Sequence, residues 1–307
     1  MKPHGIMFHH FWNEKHPRGQ GAISGDELEE MLHFIGLKNI LPAREFQERV
    51  IAGKLKREDV CLTFDDNLRC QFDVAYPVLK KYKMTAFWFI YTSPLLGVDE
   101  RLEIYRYYRT VAFDSINKFY EYFFNYLKES AYKDLVDEGL KNFFPNKYLS
   151  ESLFYSENDR KFRFIRDKIL KEDYQILMDD IIKRDRRFSI REAREKLWMD
   201  INCIKKLNRE GHIIGLHSHT HPMNLGERSY VEQEAEYTKN RNVIKKIISE
   251  IPLSVSYPCN SYNGDTLKIM KNLGISVGFT ATMDFDRENP LTLLRKDHAD
   301  LLLEMKS

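Results

Sequence analysis

The feature that most constrains this 307-residue chain is a short apolar run, Asp59-Val60-Cys61-Leu62-Thr63-Phe64, that ends on two consecutive carboxylates, Asp65 and Asp66, and then Asn67. Such a run reads as a strand buried on both faces, and strands of that kind belong to parallel sheets covered by helices. Chemistry in those folds sits in loops at the carboxyl ends of strands, where the sheet holds it rigid. Asp-Asp-Asn alone would serve equally well as a plain turn and helix cap. A second stretch changes the balance. Ile213-Ile214-Gly215-Leu216 has the same buried-strand character and leads into His217-Ser218-His219-Thr220-His221-Pro222. His217 and His221 stand four apart, which in a helical turn places both imidazoles on one side and points His219 away. One carboxylate with two imidazoles makes a divalent-metal site that keeps an open position for water.

Around these two stretches, strand and helix alternate. Gly5 to Phe11 predicts a first strand that ends in His9, His10 and Phe11. Ser24 and Glu27 form a capping box for a helix bearing Leu28, Met31, Leu32 and Ile35, closed by Gly36. A second helix starts at Pro42. Phe72, Ala75, Tyr76, Leu79 and Tyr82 make another apolar stripe with Pro77 in its first turn, and Met84 to Tyr91 reads as the next strand. Later, Leu197, Ile201, Ile204 and Leu207 predict one helix before the histidine loop. Ser229 and Glu232 cap a helix carrying Ile244, Ile247, Ile248 and Ile251, Leu253 to Tyr257 reads as a strand, Asn263 caps a helix, and Val277 to Thr280 follows as a strand. This alternation predicts a parallel α/β architecture.

Between Thr92 and Lys196 the alternation stops. The chain there is rich in Tyr, Phe and charged residues, and Ile116, Phe119, Tyr120, Phe123, Phe124 and Leu127 fall at helical spacing. The expected organisation is therefore a catalytic domain of residues 1–92 and 197–307 with a helical insertion of residues 93–196, a lid or a partner surface. Lys and Arg total 48 against 46 Asp and Glu, a net charge of +2, which argues against nucleic acid as a partner. Cys61, Cys70, Cys203 and Cys259 show no C-x-x-C spacing and read as free thiols of a reducing compartment. No apolar run has the length of a signal peptide or a membrane span. Together these point to the cytoplasm.

At the motifs the chain resembles a known family. Thr63-Phe64-Asp65-Asp66-Asn67 is similar to the first motif, T-F-D-D-G, of polysaccharide deacetylases with the NodB homology domain, carbohydrate esterase family four. His217 to Pro222 resembles the second motif, H-[ST]-x-x-H-P, and Val255-Ser256-Tyr257-Pro258-Cys259-Asn260-Ser261-Tyr262 resembles a divergent form of the third, R-x-P-[YF]. The resemblance covers residues 1–92 and about 197–307 and implies a distorted (β/α) barrel. It also implies a metal-dependent hydrolase that removes an N-acetyl group from an amino sugar. Asp66, His217 and His221 are then the metal ligands, with zinc the expected ion, Asp65 is the general base, and His298 is the acid that protonates the leaving amine. A main-chain N–H near Cys259 assists the oxyanion, and His10, Asn67, Tyr257, Pro258, Cys259 and Arg295 contribute to the substrate pocket.

Two departures stand out. Asn67 occupies the glycine position, where a left-handed backbone suits Asn best after Gly. Ser256 stands where the family has an Arg that steadies the base, and Arg295, from another strand end, can supply that charge. A cytoplasmic setting narrows the substrate to a nucleotide- or lipid-linked precursor of a surface glycan, the latter reached by peripheral contact with a membrane. A sugar deformylase is a close variant. A different reading is a metal-binding protein without catalysis whose insertion docks a partner, although such a scaffold needs no Asp65. If the insertion is a lid, Arg184, Arg186 and Arg187 would grip substrate phosphates, and neutralising all three would raise KM for a phosphorylated substrate.

Overall fold

Short strands without polar alternation need cover on both faces, and the chain provides it. The computed structural model describes residues 2–150, 155–284 and 289–306. One compact unit comprises residues 1–100 and 194–307. Its strands are β1 (His4–Phe8), β2 (Val60–Phe64), β3 (Phe87–Ile90), β4 (Ile213–Leu216), β5 (Ser254–Ser256), β6 (Val277–Phe279) and β7 (Arg295–Asp297), all parallel and in the order β6-β5-β4-β3-β2-β1-β7. The two edge strands nearly meet. Leu293, just ahead of β7, donates its N–H to Gly278 at 2.8 Å, and Thr280, just past β6, donates to Leu293 at 2.9 Å. The sheet is a nearly closed barrel.

Two apolar layers follow from the pleat. Outward residues such as Ile6, Phe8, Leu62, Phe64, Trp88, Ile90, Ile214 and Leu216 pack under the helices of the barrel wall. These helices are α1 (Gly25–Ile35) and α3 (Tyr76–Lys81) before the insertion, with α2 (Ala43–Ile51) between them in sequence but packed elsewhere. Inward residues Cys61, Phe87, Phe89, Val277 and Phe279 meet Ala43, Phe46 and Val50 of α2. The Phe46 ring lies 6.1 Å from Phe87 and 6.2 Å from Phe279, and the Ala43 N–H bonds to Thr85 just before β3, so α2 plugs the amino end of the barrel. The carboxyl end is left to the loops that carry Asp65, Asp66 and the histidines.

Residues 101–193 form a second compact unit made of helices: α4 (Arg101–Val111), α5 (Ile116–Lys128), α6 (Lys133–Leu140), α7 (Glu157–Phe164) and α8 (Asp173–Arg184). Ile104, Tyr105, Tyr108, Phe119, Tyr120, Phe123, Phe162, Tyr174 and Met178 are its core. The buried tyrosines keep their hydroxyls paired, Tyr105 donating to Asp179 at 2.7 Å and Tyr120 to Asp159. Arg184 pairs with Asp180 and Arg187 with Asp185, so two of the three arginines expected to grip phosphates already have local carboxylates. Residues 93–100 belong to the barrel unit because Ser93 donates its N–H to His219, and Arg194 returns the chain beside them by pairing with Asp99 at 2.6 Å.

The helix expected over Leu197 to Leu207 is two helices, α9 (Ile190–Leu197) and α10 (Ile201–Arg209). Trp198 bridges to Leu68, and the Asp200 side chain caps α10 by accepting from Cys203, which breaks the continuous stripe. After β4 come α11 (Tyr230–Ile248), α12 (Gly264–Asn272) and α13 (His298–Lys306). The capping boxes at Ser24, Ser229 and Asn263 are all present. Ile251 lies outside α11, which stops at Ser249 in a left-handed conformation, and β1 ends at Phe8, three residues before the expected Phe11.

Gly215 marks the tightest point of the barrel interior. A Cβ there would sit 2.5 Å from the Phe89 ring and 2.6 Å from the Ser254 hydroxyl. Gly215→Ala is therefore expected to cost about 1–3 kcal/mol in urea unfolding, as overpacking does; an unchanged midpoint would place slack where the structure has none.

Candidate active site

Asp65 and Asp66 are neighbours in sequence with different surroundings. Asp65 continues the inward face of β2, and both of its oxygens are engaged: Oδ1 accepts from Arg295 Nη1 at 2.8 Å and Oδ2 accepts from the Ser256 hydroxyl at 3.0 Å. Arg295 also donates through Nη2 to Ser256 Oγ at 2.7 Å, through Nη1 to Thr63 Oγ1 at 3.2 Å and through Nε to the Thr280 carbonyl at 2.6 Å. The guanidinium is thus fully used on β2, β5 and the end of β6. Burial raises the Asp65 carboxyl, but the Arg295 charge and hydrogen bond together with the nearby His217 and His9 outweigh it and hold the group below the usual carboxylate range.

Asp66 turns the other way because its backbone is left-handed, with φ of 79°. Its Oδ1 lies 3.2 Å from Nε2 of both His217 and His221, and the two rings are 4.9 Å apart. The expected helical turn is absent. The histidine loop is irregular, with left-handed Ser218 and His221, and it is this bend that brings the rings together. Six non-glycine residues of the site loops, Asp66, Asn67, Ser218, His221, Cys259 and Asn260, share that costly conformation.

The donor set fits a divalent cation. Asp66 Oδ1 is shut off from solvent and has no hydrogen-bond partner. His217 Nδ1 donates to the Ser256 carbonyl at 2.8 Å, which fixes the tautomer and leaves the Nε2 lone pair facing Asp66. Asp66, His217 and His221 form a group whose ligand atoms all lie within 4.8 Å of one another.

The loop is held from behind by residues that motif reading missed. Asn240 accepts the His217 N–H at 3.0 Å and donates to the Ile90 carbonyl at 2.8 Å, while Glu236 accepts the N–H groups of His219 and Thr220 at 2.9 and 2.8 Å. The available signal was a polar Asn240 on the α11 stripe of Tyr237, Ile244 and Ile247 that is otherwise buried in the core. His219 bonds to Thr92 Oγ1 and stays out of the ligand set. Gln71 is also new: its amide donates to the carbonyls of His9 at 2.8 Å and Asp65 at 2.5 Å and ties the ends of β1 and β2 together.

Other expected residues lie elsewhere. His9, and not the expected His10, faces the carboxylates, its Nε2 being 4.0 Å from Asp65 and 3.9 Å from Asp66; the strand ends at Phe8. The His10 ring lies 6.4 Å from that of His9. His298 is buried, its ring stacked 5.9 Å from that of Phe8 in the outer core, its Nε2 donating to the Gly21 carbonyl at 3.0 Å and its Nδ1 3.2 Å from Asp297 without a hydrogen bond. Tyr257 belongs to the outer core, where its hydroxyl donates to Leu291 at 2.8 Å and its ring stacks on Tyr262. Pro258 is buried beside it and Cys259 is exposed. Asn67 has the left-handed φ of 57°, and its side-chain amide is buried with neither end hydrogen-bonded.

A family model described as polysaccharide deacetylase matches residues 52–109 and 193–278, which carry all three motif regions. The chain thus carries a polysaccharide deacetylase domain. Among solved structures, it is similar to the Streptococcus pyogenes deacetylase PplD in complex with acetate, with a TM-score of 0.57, 16% identity and coverage of 100% of this chain and 99% of that one. It also resembles IcaB from Ammonifex degensii (TM-score 0.54, 15% identity, 96% and 90% covered) and the BpsB deacetylase domain from Bordetella bronchiseptica (0.52, 13%, 96% and 94%). At these identities the likeness shows the fold, a NodB-type (β/α) barrel. No curated protein matches the chain in sequence.

Two predictions follow from the electrostatics. Arg295→Gln removes the cation that keeps Asp65 ionised, so the acid limb of the pH–rate profile should move to higher pH; a stationary limb would show that Asp65 does not depend on Arg295. Burial lowers the His298 value, but the adjacent Asp297 carboxylate and the Gly21 carbonyl together outweigh it and raise the group, while Asp297 is drawn down to about 2. The histidine's contribution to stability is then full below about pH 6.5 and fades as pH rises through its raised value. The stability gap between wild type and His298→Gln should accordingly narrow as pH rises above about 6.5, and a gap that widens would reverse the assignment.

Proposed function

We propose that the protein is a metal-dependent carbohydrate de-N-acetylase acting on an amino sugar in a nucleotide- or lipid-linked precursor of a surface glycan. The observation that carries this reading is the division of labour between Asp65, locked to Arg295 and Ser256, and Asp66, turned onto two histidines. A divalent cation held by Asp66, His217 and His221, zinc in our reading, would supply the Lewis acidity that brings the pKa of water toward about 7 and stabilises an oxyanion. Asp65, kept ionised by Arg295, takes the proton of the attacking water. His9, partly exposed and within 4.0 Å of both carboxylates, delivers a proton to the departing amine. His298 buttresses Asp297 and the start of α13 instead.

The finer substrate class rests on the four cysteines, none of which forms a disulfide in the structure, as suits a reducing compartment. Among the described residues no helix is long and apolar enough to cross a membrane. The test is acetate release by the zinc-loaded protein from nucleotide-activated N-acetyl amino sugars and from free N-acetylated oligosaccharides. Release from the former only is expected. His9→Gln should lower kcat by about 10²–10⁴-fold, the usual worth of a general acid, while His298→Gln retains turnover. The opposite pattern would return the acid role to His298.

A further inference from the structure

Away from the barrel, the helical unit of residues 101–193 gathers guanidiniums onto aromatic rings. The Arg109 guanidinium carbon, on α4, lies 5.0 Å from the centre of the Phe162 ring and 5.6 Å from that of Phe119. Arg166 lies 6.0 Å from the same Phe162 ring, and Arg163 lies 4.1 Å over Tyr155. Arg163 and Arg166 are three residues apart and so share a helix face. Arg166 sits in a π-helical turn, Ile165–Leu170, that follows α7 and ends on Lys171 with a φ of 51°. Widened turns of this kind recur at functional sites.

The charges there are unevenly matched. Arg166 is held by Asp167 through Nε and Nη2 at 2.5 and 2.9 Å. Arg109 and Arg163 have no carboxylate partner among the described residues, and the Nε of each is shut off from solvent without an acceptor. The nearby Asp159 takes the hydroxyls of Tyr120 and Ser156. Even when Asp159 is counted with Asp167, the three arginines leave a positive surplus. Ring faces recover only part of what burial costs a guanidinium. Burial, with the cations of Arg106 and Arg166, pushes Arg109 down, the reverse of what a paired arginine shows.

We propose that Arg109, Arg163 and Arg166 form an anion site in the helical unit for a phosphate- or diphosphate-bearing ligand. Planar guanidinium forks match phosphate oxygens two at a time, and several of them around one point suit an anion of more than a single charge. The site lies within one unit and does not depend on the deacetylase chemistry. Arg184, Arg186 and Arg187, the arginines singled out by sequence, are solvent-exposed, whereas Arg109, Arg163 and Arg166 are partly buried against rings.

The test is calorimetric titration of the full chain with inorganic pyrophosphate at low ionic strength. Saturable binding is expected, weakened at least about tenfold in Arg163→Gln, as loss of a charged hydrogen bond predicts, and unchanged in the exposed control Lys246→Gln on α11. Arg163 is partly exposed and held by no carboxylate among the described residues, so its substitution tests the site with circular dichroism as the check on folding. A second arm floats phosphatidylcholine vesicles with and without a polyprenyl diphosphate. Retention displaced by free pyrophosphate would place the phosphate on a lipid carrier, and binding in solution without retention would place it on a soluble molecule. Absence of both, or Arg163→Gln binding as tightly as wild type, would overturn the site. None of these readouts involves acetate release, so failure here leaves the deacetylase reading standing, and the converse.

Discussion

The rest of the site depends on a buried charge pair, Asp65 with Arg295. Such a pair is stable only when every remaining donor and acceptor is satisfied, because stripping water from both ions costs several kcal/mol each, by about the usual estimates. Here the surroundings are arranged for it. Gly5 pairs in register with Arg295, and a Cβ at Gly5 would lie 3.1 Å from the Arg295 side chain, so the small residue makes room for the arginine's stem. Ser256 is small enough to let Nη2 approach, and its hydroxyl passes the contact on to Asp65. The arginine that the family places on the third-motif strand stands in this chain on β7, with Ser256 as its complement.

That pair also separates the two carboxylates. Two adjacent aspartates would repel if both faced one space. The inward face of β2 commits Asp65 to Arg295, and the left-handed backbone at Asp66 sends the second carboxylate toward His217 and His221. Strain in the loops is sustained by the scaffold behind them: Asn240 and Glu236 on α11 fix the histidine loop, and Gln71 fixes the carbonyls of His9 and Asp65. A preorganised base beside a cation-binding group is what hydrolysis of an unreactive amide requires.

Much of this was legible in the chain because it is local. Strands β2 and β4 announce themselves as β-branched apolar runs, and Ser24, Ser229 and Asn263 mark helix starts through contacts within three residues. What sequence reasoning missed is governed by partners far away along the chain. Trp198 breaks a continuous apolar stripe because it pairs with Leu68. The end of β1 at Phe8 decides that His9 faces the carboxylates, and periodicity cannot place a strand end to one residue. Tyr257 looked like pocket and is core, since its hydroxyl finds the Leu291 carbonyl. His298 looked like an acid, yet it is buried beside Phe8 with its Nε2 spent on the Gly21 carbonyl.

The central claim is that neighbouring aspartates do different work, and metal content measured beside turnover tests it most directly. Asp65→Asn and Asp66→Asn are purified side by side, their bound zinc is quantified, and acetate release is assayed. The account predicts that Asp65→Asn retains its metal and loses turnover, whereas Asp66→Asn loses both. An Asp65→Asn protein without metal, or one that still turns over, would contradict it.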